Sequence, residues 1–539
     1  MLSYSHGAAG PALLGQTIGD NLRATVARCP ANDALVVPWQ KARLTYASLW
    51  EQVSLAARGL HARGVKPGDR VGIWSSNRAE WVVAQYATAR LGAILVNINP
   101  AYRAHELAYV LKQSGVSLLL HADGFKGQPY APLLDEARPA CRLLHLDRDW
   151  TALLDQGRAV AEKDIESIEA GLSFDDPINI QYTSGTTGNP KGACLTHHNI
   201  LNNAYLTGVA LGYTEADRVC APVPFYHCFG MVLANLACTS TGACLVAPSE
   251  WFDPAAALAA IQAERCTSLY GVPTMFRAIL ECPSFASTDV TSLRTGIMAG
   301  APCPVELMKL VVSKLHMPEV AIGYGMTETS PLSTLSSRDD PLERRVGSVG
   351  RVLPHLEICV RDPETGRIVE RGKKGEFCTR GYSVMVGYWE DEAATRSAIR
   401  GGWMRSGDVA TMDEAGYVNI VGRIKDMIIR GGENISPREI EEVLLCHAAV
   451  SEAQVVGLPS AKYGEEVMAW IRRAPGASVA EAELAAHCKA RLASYKVPRY
   501  WKLTDAFPMT VTGKIQKYRL RELAAEEFGR QADAAEETA

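Results

Sequence analysis

A glycine-rich and hydroxyl-rich segment, YTSGTTGNPKG at residues 182–192, has the composition of a loop that holds an anion. Three glycines, a proline, a lysine and five hydroxyl side chains occupy ten of its eleven positions, and Asn189 occupies the other. Glycine lets the backbone take positive φ angles and lets a ligand approach the main chain, while hydroxyl and successive N–H groups supply donors. The segment therefore suits a polyphosphate. It is not a Walker A loop, because Gly188 is followed by Asn189-Pro190-Lys191-Gly192.

A second polar segment, GYGMTETSP at Gly323–Pro331, places Thr327 and Glu328 shortly after Tyr324. Mg²⁺ prefers one or two carboxylates together with phosphate oxygens. A carboxylate beside a hydroxyl at the end of a strand can hold hydrated Mg²⁺ against a triphosphate. Taken alone, Glu328 could equally be an incidental surface residue in a turn.

Bulk composition limits the classes of function. A chain of 539 residues exceeds what one hydrophobic core serves, so at least two domains are expected. A formal net charge of −4 without a long Lys/Arg run argues against a nucleic-acid surface. Fourteen cysteines are scattered singly without a C-x-x-C pair, which favours a reduced, cytoplasmic protein. We expect no export signal in residues 1–20 and no transmembrane segment; Met231–Pro248 is interrupted by polar residues.

Alternating strand and helix patterns predict an α/β fold with mostly parallel sheets. Val71–Trp74, Arg78–Leu91 and Ala93–Ile98 read as a β-α-β unit, and similar patterns recur later in the chain. Such repetition indicates sheets covered on both faces, with ligands at the carboxyl ends of the strands. After about residue 346, short glycine-punctuated segments predict a small β-rich subdomain.

The chain is expected to end in a small, mobile α+β domain. We predict a large domain over 1–422, a hinge over 423–426 and a C-terminal domain over 427–539, with a tail that loses structure from about residue 524. Ser436 with Glu439, and Ser478 with Glu481, have the spacing of capping boxes at two helices of this domain.

Together these segments resemble the adenylate-forming superfamily, which includes acyl-CoA synthetases, adenylation domains of peptide synthetases and firefly luciferase. The similarity covers about residues 40 to 520 and is nearest to the medium- and long-chain fatty acyl-CoA synthetases. It implies activation of a carboxylic acid by ATP and Mg²⁺ as acyl-AMP, with release of pyrophosphate, followed by transfer to the thiol of CoA.

The resemblance implies a nucleotide site in which AGAP (residues 299–302) and Tyr324 lie near adenine and Asp408 and Arg423 meet ribose or phosphate. Thr327 meets the α-phosphate, Glu328 serves the metal, and Lys514 of TVTGKIQK reaches the reacting oxygens; Lys517 and Arg519 are the nearby decoys. The nucleotide-binding residues implied are Thr183, Ser184, Gly185, Thr186, Thr187, Gly188, Lys191, Gly300, Ala301, Pro302, Tyr324, Gly325, Met326, Thr327, Asp408, Arg423 and Lys514. The residues assigned to catalysis are Lys514, Thr327, Glu328, Lys191 and His227.

For the second half-reaction the resemblance implies rotation of the small domain about Lys425, where many relatives carry Asp. The loop containing Gly431, Gly432 and Glu433 would then face the active site, and its glycines would leave room for pantetheine.

The acid pocket is predicted from FYHCFGM at Phe225–Met231. His227 would lie near the carboxylate, Phe229 and Met231 would line an apolar cavity, and Gly323 would leave the pocket deep. An aromatic core helix with a hydrogen-bonded histidine explains the same residues equally well. An extended alkyl chain is favoured over acetate, although an aryl acid also fits.

Two other functions stay open: loading of an aryl or fatty acid onto CoA or a carrier protein, and a catalytically silent nucleotide- or acyl-binding module. The expected partners are a small carboxylic acid, ATP and CoA, with no nucleic acid and with a homodimer left open.

Overall fold

The computed structural model describes residues 1–183, 190–301, 303–431, 433–460, 462–509 and 515–537. The chain divides into two compact units. The larger unit contains Tyr4–Ile358 and Cys378–Arg405, and the smaller contains Met1–Ser3, Cys359–Phe377 and Ser406–Ala539. The domain boundary predicted at residue 422 stays a prediction. In the division into two units, residues 406–422 belong to the smaller unit.

Strands and helices alternate through most of the larger unit. The elements of both units are numbered here in chain order. The helices are α1 (Ile18–Arg28), α2 (Tyr46–Ala62), α3 (Ala79–Arg90), α4 (Ala104–Ser114), α5 (Ala131–Ala137), α6 (Trp150–Arg158), α7 (Glu162–Glu169), α8 (His197–Ala210), α9 (Cys228–Gly230), α10 (Ala237–Thr241), α11 (Pro254–Glu264), α12 (Pro273–Leu280), α13 (Val305–Lys314), α14 (Leu342–Gly347), α15 (Glu392–Ala398), α16 (Pro437–Leu445), α17 (Glu481–Lys489) and α18 (Lys517–Glu537). Short 3₁₀ turns cover Pro38–Gln40, Pro283–Ser287, Thr327–Thr329, Ile424–Asp426 and Ser494–Lys496, and a π-helical turn covers Met231–Leu236.

The strands are β1 (Tyr4–His6), β2 (Asp33–Val37), β3 (Ala42–Thr45), β4 (Arg70–Trp74), β5 (Ile94–Ile98), β6 (Val116–His121), β7 (Gly124–Phe125), β8 (Gln128–Pro129), β9 (Arg142–His145), β10 (Pro177–Thr183), β11 (Lys191–Thr196), β12 (Arg218–Cys220), β13 (Cys244–Val246), β14 (Ser268–Gly271), β15 (Thr295–Ala299), β16 (Glu319–Gly325), β17 (Leu332–Leu335), β18 (Arg351–Val352), β19 (Leu356–Arg361), β20 (Gly375–Gly381), β21 (Gly387–Tyr388), β22 (Ile399–Arg400), β23 (Trp403–Met412), β24 (Val418–Arg423), β25 (Ile428–Arg430), β26 (Glu433–Ile435), β27 (Val450–Ser460), β28 (Gly464–Arg473) and β29 (Tyr500–Leu503).

Two large mixed sheets organise the larger unit. One has the order β21-β11-β10-β5-β4-β6-β9, and the strands from β10 to β9 run parallel. The other has the order β18-β17-β16-β15-β14-β12-β13-β2-β3, and its central strands from β16 to β2 are parallel. The expectation of mostly parallel sheets in an α/β fold is confirmed.

Burial on both faces explains the continuous apolar runs in these strands. All five residues of β5 are buried, and every residue of α3 except Glu80 is buried as well. A parallel sheet covered by helices removes both strand faces from water, so alternation of polar and apolar residues disappears. The carboxyl ends of the parallel strands then meet at one edge of each sheet, where a ligand can bind.

The smaller unit contains an antiparallel sheet with the order β26-β25-β28-β27, to which β29 adds on β28. Helices α16 and α17 pack over its apolar core, which includes Ile428, Ile440 and Leu484. Strands β19, β20 and β23 each begin in one unit and end in the other. The short strands after residue 346 agree with the expected β-rich segment.

Two local expectations in the smaller unit are wrong. Ser436 does not cap α16, because its hydroxyl donates instead to the carbonyl of Val421 at 2.7 Å. The residue that precedes α17 is Ala480, which has no side chain able to cap. Helix α18 extends over Lys517–Glu537 and Ala524 is buried; the loss of structure expected from about residue 524 stays a prediction.

Candidate active site

The glycine-rich segment joins the antiparallel strands β10 and β11. Thr183 and Lys191 face each other in the register, and the Thr183 hydroxyl donates to the Lys191 carbonyl at 3.4 Å. Because β10 also pairs in parallel with β5, the segment follows the carboxyl end of a parallel strand. The predicted residues Ser184, Gly185, Thr186, Thr187 and Gly188 lie outside the described residues.

The segment predicted to lie near adenine follows β15, beside the end of β16. Ala299 pairs with Gly323, so Gly300, with a φ of 86°, and exposed Ala301 come next to the strand that carries Tyr324. Pro302 lies outside the described residues. The two predicted nucleotide segments are thus brought together at the carboxyl ends of adjacent parallel strands.

A buried turn presents Thr327 and Glu328 directly after β16 and Met326. Both side chains are buried, Glu328 with 6% exposure, and the backbone N–H of Met385 donates to the Glu328 carbonyl at 3.0 Å. The Ser330 hydroxyl donates to the Ser383 carbonyl at 2.7 Å. The turn is therefore tied to the segment that precedes β21.

Helix α8 anchors the chain on the far side of this turn. The Asn203 amide donates to the Leu332 carbonyl at 2.8 Å, and the Leu332 N–H donates to Asn203 Oδ1 at 3.0 Å. Asn203 is buried, so these two bonds satisfy backbone groups that water does not reach. The motif analysis did not select Asn203, since an asparagine inside a helix has no local signature of this role.

Tyr388 is a second residue that the motif analysis missed. Its hydroxyl donates to Glu328 Oε1 at 2.8 Å, and its ring centroid lies 5.1 Å from Lys191 Nζ. The pKa of Tyr388 is raised, mainly because the phenol is buried and secondly because the Glu328 carboxylate lies beside it. The tyrosine of "GYWE" was the available signal, but nothing in that segment specifies a partner elsewhere in the chain.

The donor set at this turn fits Mg²⁺. Thr327 and Glu328 offer a hydroxyl and a carboxylate oxygen, the hard ligands that Mg²⁺ shares with phosphate oxygens and water. A buried carboxylate is costly unless a cation or hydrogen-bond donors stabilise it, and Tyr388 supplies one such donor. Glu328 would hold the ion, which would neutralise charge on the polyphosphate.

The predicted acyl segment forms the short helix α9 and the π-helical turn. The backbone N–H of Phe229 donates to His227 Nδ1 at 3.2 Å, and the Phe229 ring stacks on Tyr270 with centroids 5.6 Å apart. Met231 is buried with its sulfur 2.9 Å from the amide nitrogen of Asn97. Irregular helical turns are frequent at functional sites.

Packing by itself accounts for glycine at position 323. A Cβ atom there would lie 2.8 Å from Leu332 Cδ2 and 3.3 Å from Leu335 Cδ1. The missing side chain lets β16 pair closely with β17. That Gly323 also deepens an acyl pocket stays a prediction.

In the smaller unit, Asp408 and Arg423 meet across the pairing of β23 with β24. Arg423 Nε donates to Asp408 Oδ1 at 3.2 Å, and the carboxylate is 14% exposed while the guanidinium is 58% exposed. A carboxylate oriented in this way can accept hydrogen bonds from ribose hydroxyls.

The hinge candidate Lys425 lies exposed in the turn Ile424–Asp426. On its carboxyl side, Arg521 donates to Asp426 Oδ1 at 3.0 Å and to the Lys425 carbonyl at 3.4 Å. On its amino side, Arg423 is held by β24 and Asp408. Lys425 thus lies between two anchored residues.

The glycine loop proposed to meet CoA follows β25. In the register of β25 with β26, Arg430 lies opposite Glu433, which is exposed. Gly431 has a φ of 59°, and its N–H donates to the Tyr463 carbonyl at 2.8 Å. A non-glycine residue at that φ would be strained. Gly432 lies outside the described residues.

Lys514 also lies outside the described residues, but its flanking residues are informative. Met509 and Ile515 form an antiparallel bridge on either side of it. The decoy Lys517 donates to the Glu441 carboxylate at 2.6 Å, and Arg519 donates to Glu522 at 2.8 Å. Lys517 and Arg519 therefore each form an ion pair with a glutamate of the smaller unit.

Comparisons with known proteins agree with this arrangement. A sequence profile described as AMP-binding enzyme matches residues 22–389, and one described as AMP-binding enzyme C-terminal domain matches residues 439–514. The chain therefore belongs to the AMP-binding enzyme family.

Two relatives match over nearly their full lengths. YngI of Bacillus subtilis is 47% identical over 543 residues, which cover 96% of this chain and 98% of that protein. The mitochondrial medium-chain acyl-CoA ligase ACSF2 of Danio rerio is 43% identical over 553 residues, which cover 98% of this chain and 91% of that protein.

Solved structures share the fold. ATP-bound MatB from Rhodopseudomonas palustris has a TM-score of 0.84 at 31% identity, covering 95% of this chain and 99% of that one. The anthranilate CoA ligase AuaEII in complex with anthranoyl-AMP has a TM-score of 0.85 at 26% identity, covering 97% and 98%. The activity that follows is ATP-dependent ligation of a carboxylic acid to coenzyme A.

Two further observations bear on the environment of the protein. All fourteen cysteines are in the thiol form, and most are buried. Among the described residues, no helix is both long enough and apolar enough to cross a bilayer.

Proposed function

We propose that the protein activates a medium- to long-chain fatty acid as acyl-AMP and transfers the acyl group to CoA. The observation that carries the substrate assignment is the 43% identity to a medium-chain acyl-CoA ligase over 98% of this chain. Phe229, whose ring stacks on Tyr270 at the carboxyl end of β14 within the hydrophobic core, is the residue that we propose to line the acyl pocket. Ligand pockets are lined mainly by apolar and aromatic side chains, which suit an alkyl chain. The name of the Danio rerio relative, a medium-chain acyl-CoA ligase, points to the same class of acid.

In the first half-reaction, a carboxylate oxygen of the acid attacks the α-phosphorus of ATP and pyrophosphate leaves. The reactants are all anions, so stabilisation of developing negative charge is the main requirement. Lys191 and the glycine-rich loop would hold the phosphates, Glu328 would hold Mg²⁺, and Lys514 would meet the reacting oxygens. His227 would orient the carboxylate of the acid.

In the second half-reaction, the thiol sulfur of CoA attacks the acyl carbonyl and AMP leaves. The small domain would rotate about Lys425 so that the loop at Gly431 and Gly432 replaces Lys514 at the reacting centre. The anchors on either side of Lys425 support this position, because they confine backbone rotation to the turn between them.

The expectations of a cytoplasmic location and of a homodimer belong to this proposal. The scattered thiols support a reducing compartment. The homodimer, left open by the sequence, would be tested by sedimentation of the purified protein.

The substrate assignment is tested by AMP release with CoA and a panel of acids from acetate to palmitate, including benzoate and cinnamate. We expect the highest kcat/KM between octanoate and dodecanoate. A preference for acetate or for an aryl acid would contradict the assignment.

Replacement of Phe229 tests the position of the pocket. Because even one methylene group in an apolar pocket changes discrimination between substrates, Phe229→Leu, which removes three side-chain carbons, should change the octanoate-to-palmitate ratio of kcat/KM by about threefold or more. Phe285→Leu, at a half-buried phenylalanine of another part of the core, is the matched control and should leave the ratio unchanged.

A further inference from the structure

Tyr388 connects two parts of the candidate nucleotide site that are distant in sequence. It lies on β21, the edge strand that pairs with β11, and the register places it opposite Ala193. Lys191, two residues earlier on β11, begins that strand at the end of the glycine-rich segment. Tyr388 is therefore beside the base of the loop predicted to bind phosphate.

The same side chain contacts the carboxylate predicted to hold the metal. Tyr388 donates its phenolic hydrogen to Glu328 Oε1 at 2.8 Å, and its ring lies 5.1 Å from the Lys191 ammonium. The backbone fixes this geometry, since Met385 N–H donates to the Glu328 carbonyl at 3.0 Å and Trp389 N–H donates to the Gly192 carbonyl at 2.7 Å. One aromatic residue thus contacts both an anionic and a cationic member of the site.

We propose that Tyr388 is a positioning residue that orients the Glu328 carboxylate for Mg²⁺ and holds the Lys191 ammonium beside the phosphate loop. The inference rests on the proposed function of Glu328 and Lys191. In this proposal Tyr388 acts through Glu328 and Lys191.

The chemistry of tyrosine suits this role. A phenol is a neutral donor, so it restrains a carboxylate without removing the negative charge that attracts the metal. The ring face attracts an ammonium group through its quadrupole. Direct pairing of Lys191 with Glu328 would instead neutralise both groups before the nucleotide arrives.

The two contacts can be separated by substitution in the full-length protein. Tyr388→Phe removes the hydroxyl and keeps the ring, whereas Tyr388→Leu removes both. Tyr4→Phe is the matched control, because the Tyr4 hydroxyl also donates to a carboxylate, that of Glu357, at 2.6 Å.

Metal binding is measured without turnover, by electron paramagnetic resonance of Mn²⁺ with the protein and α,β-methylene-ATP in the absence of an acid. Since a hydrogen bond to a charged group contributes enough to change affinity by about tenfold, Tyr388→Phe should raise the Kd of Mn²⁺ by about that factor. Tyr388→Leu should raise the Kd of the nucleotide as well, and Tyr4→Phe should change neither. The Mg²⁺ concentration that half-saturates acid-dependent ATP–pyrophosphate exchange should rise in parallel with the Mn²⁺ Kd.

An unchanged Mn²⁺ Kd in Tyr388→Phe would overturn the inference. The inference would also be overturned if Tyr388→Phe melted well below the wild-type protein but bound Mn²⁺ normally per folded molecule. That result would assign Tyr388 a structural role. If the wild-type protein showed no acid-dependent exchange with any acid, the proposed function would fail, while the Mn²⁺ comparison would still judge Tyr388.

Discussion

The two charged residues that follow Lys514 in the chain, Lys517 and Arg519, each form an ion pair with a glutamate. Lys517 donates to the carboxylate of the buried Glu441 at 2.6 Å, and Arg519 pairs with Glu522 on the surface of α18. A lysine engaged in a close ion pair would have to break it before serving a substrate. Lys514 is the lysine of this segment that we assign to the reacting oxygens.

Replacement of Lys514 should separate the two half-reactions. In Lys514→Ala, acid-dependent ATP–pyrophosphate exchange should fall by about a hundredfold or more, because a preorganised positive charge near the α-phosphate is lost. Conversion of supplied acyl-AMP and CoA to thioester should continue at close to the wild-type rate. Lys489→Ala, at an exposed lysine of α17, is the control. Equal loss of both half-reactions would show that the role of Lys514 is wrong.

The junction of β16 with the Thr327–Thr329 turn is tightly packed. A Cβ atom on Gly325 would lie 1.7 Å from the Pro331 carbonyl oxygen and 2.9 Å from Leu332 Cα. The neighbouring backbone is itself held by Asn203 through two hydrogen bonds. The position of Glu328 therefore depends on Gly325 and, through Asn203, on helix α8.

Gly325→Ala should displace this turn. Overpacking against backbone should cost about 3 kcal/mol or more in the free energy of unfolding and lower the melting temperature. Adenylation should fall by about tenfold or more, because a small misplacement of catalytic groups is costly. Gly347→Ala provides the comparison, since a Cβ there would meet no atom within 4 Å. Wild-type stability and exchange in Gly325→Ala would contradict the close approach.

At the scale of the whole molecule, the proposed cycle requires one chain to satisfy two successive chemical steps. Asp408 with Arg423 anchors one side of the Ile424–Asp426 turn, and Arg521 with Asp426 anchors the other. Rotation about Lys425 would exchange Lys514 for the glycine loop and keep both anchors, while the Ser436–Val421 hydrogen bond, which spans the hinge, would break.

Lys425→Pro should slow overall turnover by about tenfold or more, because proline fixes φ and disfavours the helical conformation of the preceding Ile424. At least one half-reaction, measured alone, should persist. Lys425→Ala, which keeps backbone freedom, should retain both half-reactions. Undiminished CoA-dependent AMP release by Lys425→Pro would exclude Lys425 as the pivot.

Local pattern was sufficient to predict the α/β class, the β4-α3-β5 unit and the segments at strand ends, because periodicity and glycine spacing act over a few neighbouring residues. The family resemblance predicted the reaction, including the use of ATP and CoA. Tertiary structure alone decided which polar groups meet. Glu328 and Tyr388 are 60 residues apart in the chain, and Ser436 hydrogen-bonds Val421 instead of its own helix. A side chain bonds to whichever partner packing brings within reach, and that partner has no signature in the local sequence.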